Sequence, residues 1–280
     1  MTASEAPLLD GRVAIVTGAA RGIGRAVAEL LAEQGASVVV VDLDLALAEE
    51  CARSLATEGI AVGADVTKQG SPEQIVEAAI DRHGRIDILV NNAGYPFDAM
   101  VHKMSDEQFA SMLEIHATAP FRIIRAAAPY LRTDPLRDSK TGGTQIRKIV
   151  NVASIAGQMG APGTGNYAAG KAAVVGLTKS LAKEWGRFSV ATNAVCFGPI
   201  DTRLSALQST NNITRVGGRT IRLGVPAAQR EAIAEIVPLG RHGTPEEAAG
   251  AVLFLCAPWS DYVNGQVLNV TGGYCSGMQS

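Results

Sequence analysis

Short, almost uniformly apolar runs recur along this 280-residue chain, with longer stretches that carry apolar positions at helical spacing between them. The runs are RVAIVT (12–17), ASVVVVD (36–42), IAVGAD (60–65), IDILVNN (86–92), RKIVNVA (147–153), SVATNAVC (189–196) and GQVLNV (265–270). A strand exposed on one face would alternate polar and apolar residues. A run that is apolar throughout is buried on both faces, as in a parallel sheet covered by helices. Seven such runs predict an α/β fold, a doubly wound seven-stranded parallel sheet in three α/β/α layers. Two helices carry start signals: SPEQIVEAAIDRHG (71–84) opens on a capping residue, and TPEEAAGAVLFLCAP (244–258) sets Thr244 at the N-cap with Pro245 at the first helical position.

Two stretches break the rhythm. TDPLRDSKTGGTQIRK (133–148) is polar and glycine-rich and reads as an exposed loop before the fifth strand. RLSALQSTNNITRVGGRTIRLG (203–224) holds four arginines, no acid and little periodicity, and following a strand end it reads as a lid over a site. With no internal repeat or low-complexity tract, residues 1–280 read as one domain.

Composition narrows the partners. The chain is 47% apolar and 19% charged, which is globular, and its net charge of −2 provides no field to recruit nucleic acid or an anionic membrane. A small-molecule partner is expected. Cys51, Cys196, Cys256 and Cys275 are scattered without metal-ligand spacing, and neither a signal peptide nor a membrane-length apolar run is present, so a cytoplasmic location is expected.

The chemistry concentrates in a few motifs. TGAARGIG (17–24) joins the first strand to a helix, and its glycines suit either a plain tight turn or close approach to a phosphate at the helix N-terminus. Its spacing departs from the dinucleotide fingerprint G-x-G-x-x-G. Asp42 ends the second strand, where an acid serves either as a turn residue or as an acceptor for ribose hydroxyls that repels a 2′-phosphate. The second role favours NAD over NADP, while Arg21 in the glycine loop, able to meet a phosphate, pulls weakly the other way. YAAGK puts Tyr167 and Lys171 at i and i+4 on one helical face. Such a pair is either a solvated face or an acid/base in which the ammonium lowers the phenol pKa towards neutrality.

Taken in order, TGAARGIG, NNAG (91–94), Ser154, YAAGK and GPIDT (198–202) resemble the short-chain dehydrogenase/reductases, from about Gly11 to Gly273. The family's glycine pattern, G-x-x-x-G-x-G, is the one present. The resemblance implies a Rossmann-type fold and hydride transfer between a nicotinamide and a carbon bearing a hydroxyl or carbonyl, with no metal. It implies that Gly18, Arg21, Gly22, Ile23 and Gly24 line the pyrophosphate, that Asp42 holds the adenosine ribose, and that Asp65 and Val66, closing the third strand, flank adenine. Asn92, with Ala93 and Gly94, would support the cofactor-binding strand, and Pro199, Ile200 and Thr202 would lie at the nicotinamide amide. Tyr167 would be the general acid/base, Lys171 would bond the nicotinamide ribose and Ser154 would bond the substrate oxygen. The family commonly carries an asparagine where this chain has His116. This histidine is either a structural group or a proton relay that would steepen the pH profile near neutrality.

Substrate signals are weaker. LGRHGTPEEAAGAVLFL (239–255) and NGQVLNVTGG (264–273) resemble the 3-oxoacyl-[acyl-carrier-protein] reductase branch, which implies a β-keto thioester. The lid arginines suit either the phosphates of coenzyme A, or an acidic carrier protein, or mere solvation. Steroid, sugar and other secondary-alcohol dehydrogenases use the same scaffold, as would a nucleotide-sensing protein that had lost the chemistry. Family members usually form homotetramers, here through residues 105–130, 163–187 and the C-terminal strand region.

Overall fold

Val13 to Thr17 are all buried, yet they face two different layers: Ala14 and Val16 pack into one apolar cluster, Val13 and Ile15 into another. Strand β1 (Val13–Thr17) and strand β2 (Ser37–Asp42) both divide their residues this way, which is why neither alternates in polarity. The structure, a computed structural model, describes residues 7–133, 144–207, 212–216 and 219–274. β3 (Gly59–Gly63), β4 (Ile88–Asn91), β5 (Arg147–Ser154), β6 (Val190–Phe197) and β9 (Val267–Val270) complete a parallel seven-stranded sheet in the order β3-β2-β1-β4-β5-β6-β9. All seven predicted strands are present in it.

Helices α1 (Gly22–Glu33), α2 (Leu45–Ser54) and α9 (Pro245–Cys256) cover one face, while α3 (Ser71–His83), α5 (Ala119–Leu131) and the C-terminal half of α7 (Gly165–Trp185) cover the other. Thr244 caps α9 as expected, in a reciprocal capping box with Glu247. The start of α3 differs from expectation. Gly70, in a left-handed conformation, is its N-cap, and Ser71 lies one residue inside, followed by Pro72.

The stretch read as a lid contains an antiparallel hairpin, β7 (Ile213–Val216) with β8 (Arg219–Arg222), followed by α8 (Ala227–Ile236). The sequence signal was present in ITRV and RTIR flanking Gly-Gly, two β-branched runs joined by two permissive residues. Most of the loop predicted at 133–148 lies outside the described residues, as do 208–211 and 217–218 of the lid and Cys275. Among the described residues no helix is long and apolar enough to cross a membrane.

Candidate active site

The strand order reverses between β1 and β4, and at such a switch point the loops beyond the two strand ends diverge around a crevice. Here they are clamped together. Asn92 Nδ2 donates to the carbonyls of Thr17 (2.9 Å) and Gly18 (3.1 Å), while Thr17 Oγ1 accepts from the amides of Asn92 and Ala93. A Cβ on Gly18 would lie 2.8 Å from Ala93 Cα, and one on Gly24 would overlap the Gly18 carbonyl. Arg21, at the N-cap of α1, makes no side-chain cap, so the positive end of the helix has no side-chain oxygen of its own. That cradle fits a pyrophosphate.

Asp42 ties the glycine loop to β2: Oδ2 accepts from Ala20 N (3.1 Å) and Oδ1 from Asp44 N (3.2 Å). A carboxylate has about four lone-pair sites, so two remain for ribose hydroxyls. Arg21 is turned to Asp44, at 3.2 Å. These residues and Ile23, Gly22, Asp65, Val66, Ala93 and Gly94 line one cavity of about 730 Å³. Asp65 stands two residues beyond the end of β3 rather than closing it, and accepts from the Thr67 amide and hydroxyl.

A second cavity of about 600 Å³ adjoins the first, sharing Ile23, Asn92, Gly94 and Thr202, and is lined by Ser154, Tyr167, Lys171, His116, Pro199 and Ile200. Every sequence-predicted site residue therefore lies in one of the two. Ser154, at the end of β5, lines this cavity beside the Tyr167 phenol, and Lys171 Nζ donates to the Val152 carbonyl at 2.7 Å. Buried amides lock α7 onto the sheet beneath them: Asn91 Nδ2 donates to Asn151 Oδ1 (2.8 Å), whose own Nδ2 donates to Thr178 Oγ1 (2.9 Å).

Electrostatics at this end depart from expectation. Burial pushes the Tyr167 phenol up to about 12; the Ser154 hydroxyl opposes this and the Asp98 carboxylate adds to it. The anticipated lowering by Lys171 does not occur, because its Nζ is held by Val152 and lies 5.6 Å from the centre of the Tyr167 ring. Burial also lowers Lys171 to about 8. His116 is held well below the ordinary histidine range by burial and then by the Lys171 charge, which favours the structural alternative over the relay.

Sequence reasoning missed two residues here. Asn166, fully buried, donates to the carbonyls of Phe97 and Gln108 and accepts from Tyr167 N, fixing the start of α7 against the loop that follows β4. Asp98 brings a carboxylate into the second cavity. Neither lies in a recognisable motif. Of the four lid arginines only Arg203 has a described side chain; it borders the first cavity, near Asp42 and Arg21, rather than the second, and donates to the Ile213 carbonyl.

Residues 18–275 match the family model described as enoyl-(acyl carrier protein) reductase, one of the short-chain dehydrogenase/reductase models. The chain belongs to the short-chain dehydrogenase/reductase family. It is 37% identical over 265 residues to the 3-oxoacyl-[acyl-carrier-protein] reductase FabG of Vibrio cholerae, covering 95% of this chain and 98% of that one. The Thermotoga maritima FabG is 34% identical over 270 residues, covering 95% and 98%. The Escherichia coli FabG is 34% identical over 264 residues, covering 94% and 97%. Membership makes the chain an oxidoreductase and implies a nicotinamide cofactor.

Proposed function

We propose that this protein is an NAD(H)-dependent oxidoreductase that interconverts 3-oxoacyl and 3-hydroxyacyl thioesters through a tyrosine general acid/base. The carrying observation is the Tyr167 phenol, protonated at neutral pH and set beside Ser154 in a cleft that adjoins the cavity bounded by Asp42. The named activity of the FabG relatives supports the thioester, bound to coenzyme A or to a carrier protein.

When bound, the nicotinamide supplies or accepts the hydride. In reduction, Ser154 holds the substrate oxygen while the Tyr167 hydroxyl gives that oxygen its proton; in oxidation Ser154 holds the same oxygen and the Tyr167 oxygen takes the alcohol proton. Lys171 holds the nicotinamide ribose with its buried ammonium. Asp42 receives the adenosine ribose, and its charge disfavours a 2′-phosphate, with Arg21 already paired to Asp44. Gly18, Gly22, Ile23 and Gly24 cradle the pyrophosphate; Asp65 and Val66 flank adenine. Pro199, Ile200 and Thr202 meet the nicotinamide amide.

The chain acts as a single domain with 203–224 as substrate lid, in a cytoplasmic homotetramer. A second reading, a polyhydroxylated secondary alcohol such as a sugar, draws on Asp98, whose carboxylate accepts hydrogen bonds that an acyl chain does not offer. The test is NADH oxidation with acetoacetyl-CoA, followed by absorbance, with NADPH alongside. Rapid oxidation of NADH and slow oxidation of NADPH is the expected result. Bound but unoxidised NADH would reject the thioester and direct attention to sugars and other secondary alcohols, and gel filtration returning a monomer would reject the tetramer.

A further inference from the structure

His116 occupies a slot made for its ring. It lies in a π-helical turn, Glu114–Thr118, between α4 (Asp106–Leu113) and α5; such turns insert one extra residue and displace a side chain from the regular helical row. Two glycines border the slot. A Cβ on Gly94 would come within 2.5 Å of His116 Cε1, and one on Gly170 within 2.9 Å of His116 Cβ. The ring then meets Tyr167 edge-on, with centroids 4.8 Å apart and planes at 85°.

Its hydrogen bonding fixes the tautomer. Nε2 is 3.0 Å from the Tyr95 carbonyl, which only accepts, so Nε2 carries the hydrogen. Nδ1 is then a bare acceptor, and it is buried without a partner. A relay through this ring would place a proton on Nδ1 and create an imidazolium in a site only 3% exposed, facing Tyr167 and the Lys171 ammonium from α7. Glu114, the acid of the same turn, is paired with Arg122 instead.

We propose that His116 is a positioning residue whose Nε2–H holds the Tyr95 loop and whose ring edge fixes the plane of Tyr167. Without the ring, Tyr167 loses its packing partner and the loop its tether, so the phenol no longer presents its proton at one angle. The inference rests on Tyr167 being the acid, and its tests separate the two ideas.

Nitrogen-15 spectra of the full chain, with histidines labelled, are expected to show His116 as the neutral Nε2–H form with no midpoint in the ordinary histidine range. This readout needs no substrate, so it stands even if acetoacetyl-CoA is not turned over. A midpoint inside that range, or an Nδ1–H tautomer, would overturn the proposal. In turnover, His116→Ala is expected to lower kcat by about 10²-fold with KM for NADH little changed, as for a misplaced catalytic group. His116→Gln, whose amide reaches the Nε2 position but carries no exchangeable charge, is expected to recover the part of that loss owed to the Tyr95 tether and to leave the part owed to the ring. Equal impairment of both variants, with loss of a limb of the pH profile, would make the ring a relay. Activity lost in Tyr167→Phe is expected in either case; activity retained there would reject the assignment of the acid instead.

Discussion

The two cavities are built from different materials. The first is built at its phosphate end from backbone: glycine Cα atoms, the open end of α1 and carbonyls bonded by Asn92, with Asp42 and Asp44 tied to the glycine loop. The second is mostly side chains, brought from β5, α7, the π turn, the loop after β4 and the lid. A backbone cradle tolerates no Cβ at its contact points and leaves glycines at fixed spacing. A side-chain pocket allows many residues at most positions, so it can change substrate while the cradle keeps its ligand.

Substitutions on either side should sharpen that contrast. Tyr167→Phe removes one oxygen from the side-chain half and is expected to cut turnover about 10²–10⁴-fold while NADH binding persists, as measured by fluorescence titration. Gly24→Ala strikes the cradle, where the new Cβ would overlap the Gly18 carbonyl and sit 2.5 Å from Asn92 Nδ2. NADH affinity is expected to fall about 10²-fold or more, with both substrates of any coupled assay affected alike. Loss of turnover with NADH still bound would move Gly24 out of the cradle.

The same division explains what was legible in the sequence. Strand positions follow from burial on both faces, since a double-sided core admits little but Val, Ile, Leu and Ala in β1 and β2. Asp42, Ser154, Tyr167 and Lys171 could be placed because motifs of fixed spacing surround them. The π turn could not, because Glu114–Thr118 satisfies the same helical periodicity as its neighbours and the extra residue is fixed by tertiary packing against Gly94 and Gly170. The Tyr167 pKa went the wrong way because i, i+4 spacing shows that two groups share a helix face, not where the ammonium points. Lys171 Nζ points to Val152.

That misdirected pair gives the next effect in size. Lys171 titrates at about 8 in the folded chain against an ordinary 10.5, so between these values the unfolded chain binds more protons. Stability therefore rises with pH there, the cost of the buried charge being fully present below pH 8 and relieved by 10.5. Denaturation of the wild type and Lys171→Met should show the wild type gaining up to about 3 kcal/mol relative to the variant across that window. Parallel curves would mean that Lys171 keeps its ordinary affinity for the proton.

The smallest effect falls on the one charged group joining the glycine loop to β2. Asp42→Ala removes the proposed ribose acceptor and the repulsion it would offer a 2′-phosphate together, and also frees the Ala20 and Asp44 amides, which loosens the loop for either cofactor. Absolute affinities mix these contributions, whereas the ratio of kcat/KM for NADH to that for NADPH isolates the first two. That ratio is expected to fall about tenfold, roughly 1.4 kcal/mol, with Arg203 then free of the Asp42 carboxylate while Arg21 stays paired with Asp44. An unchanged ratio would place cofactor choice in the arginines, and so in side chains, making the first cavity less purely a backbone device than its glycines imply.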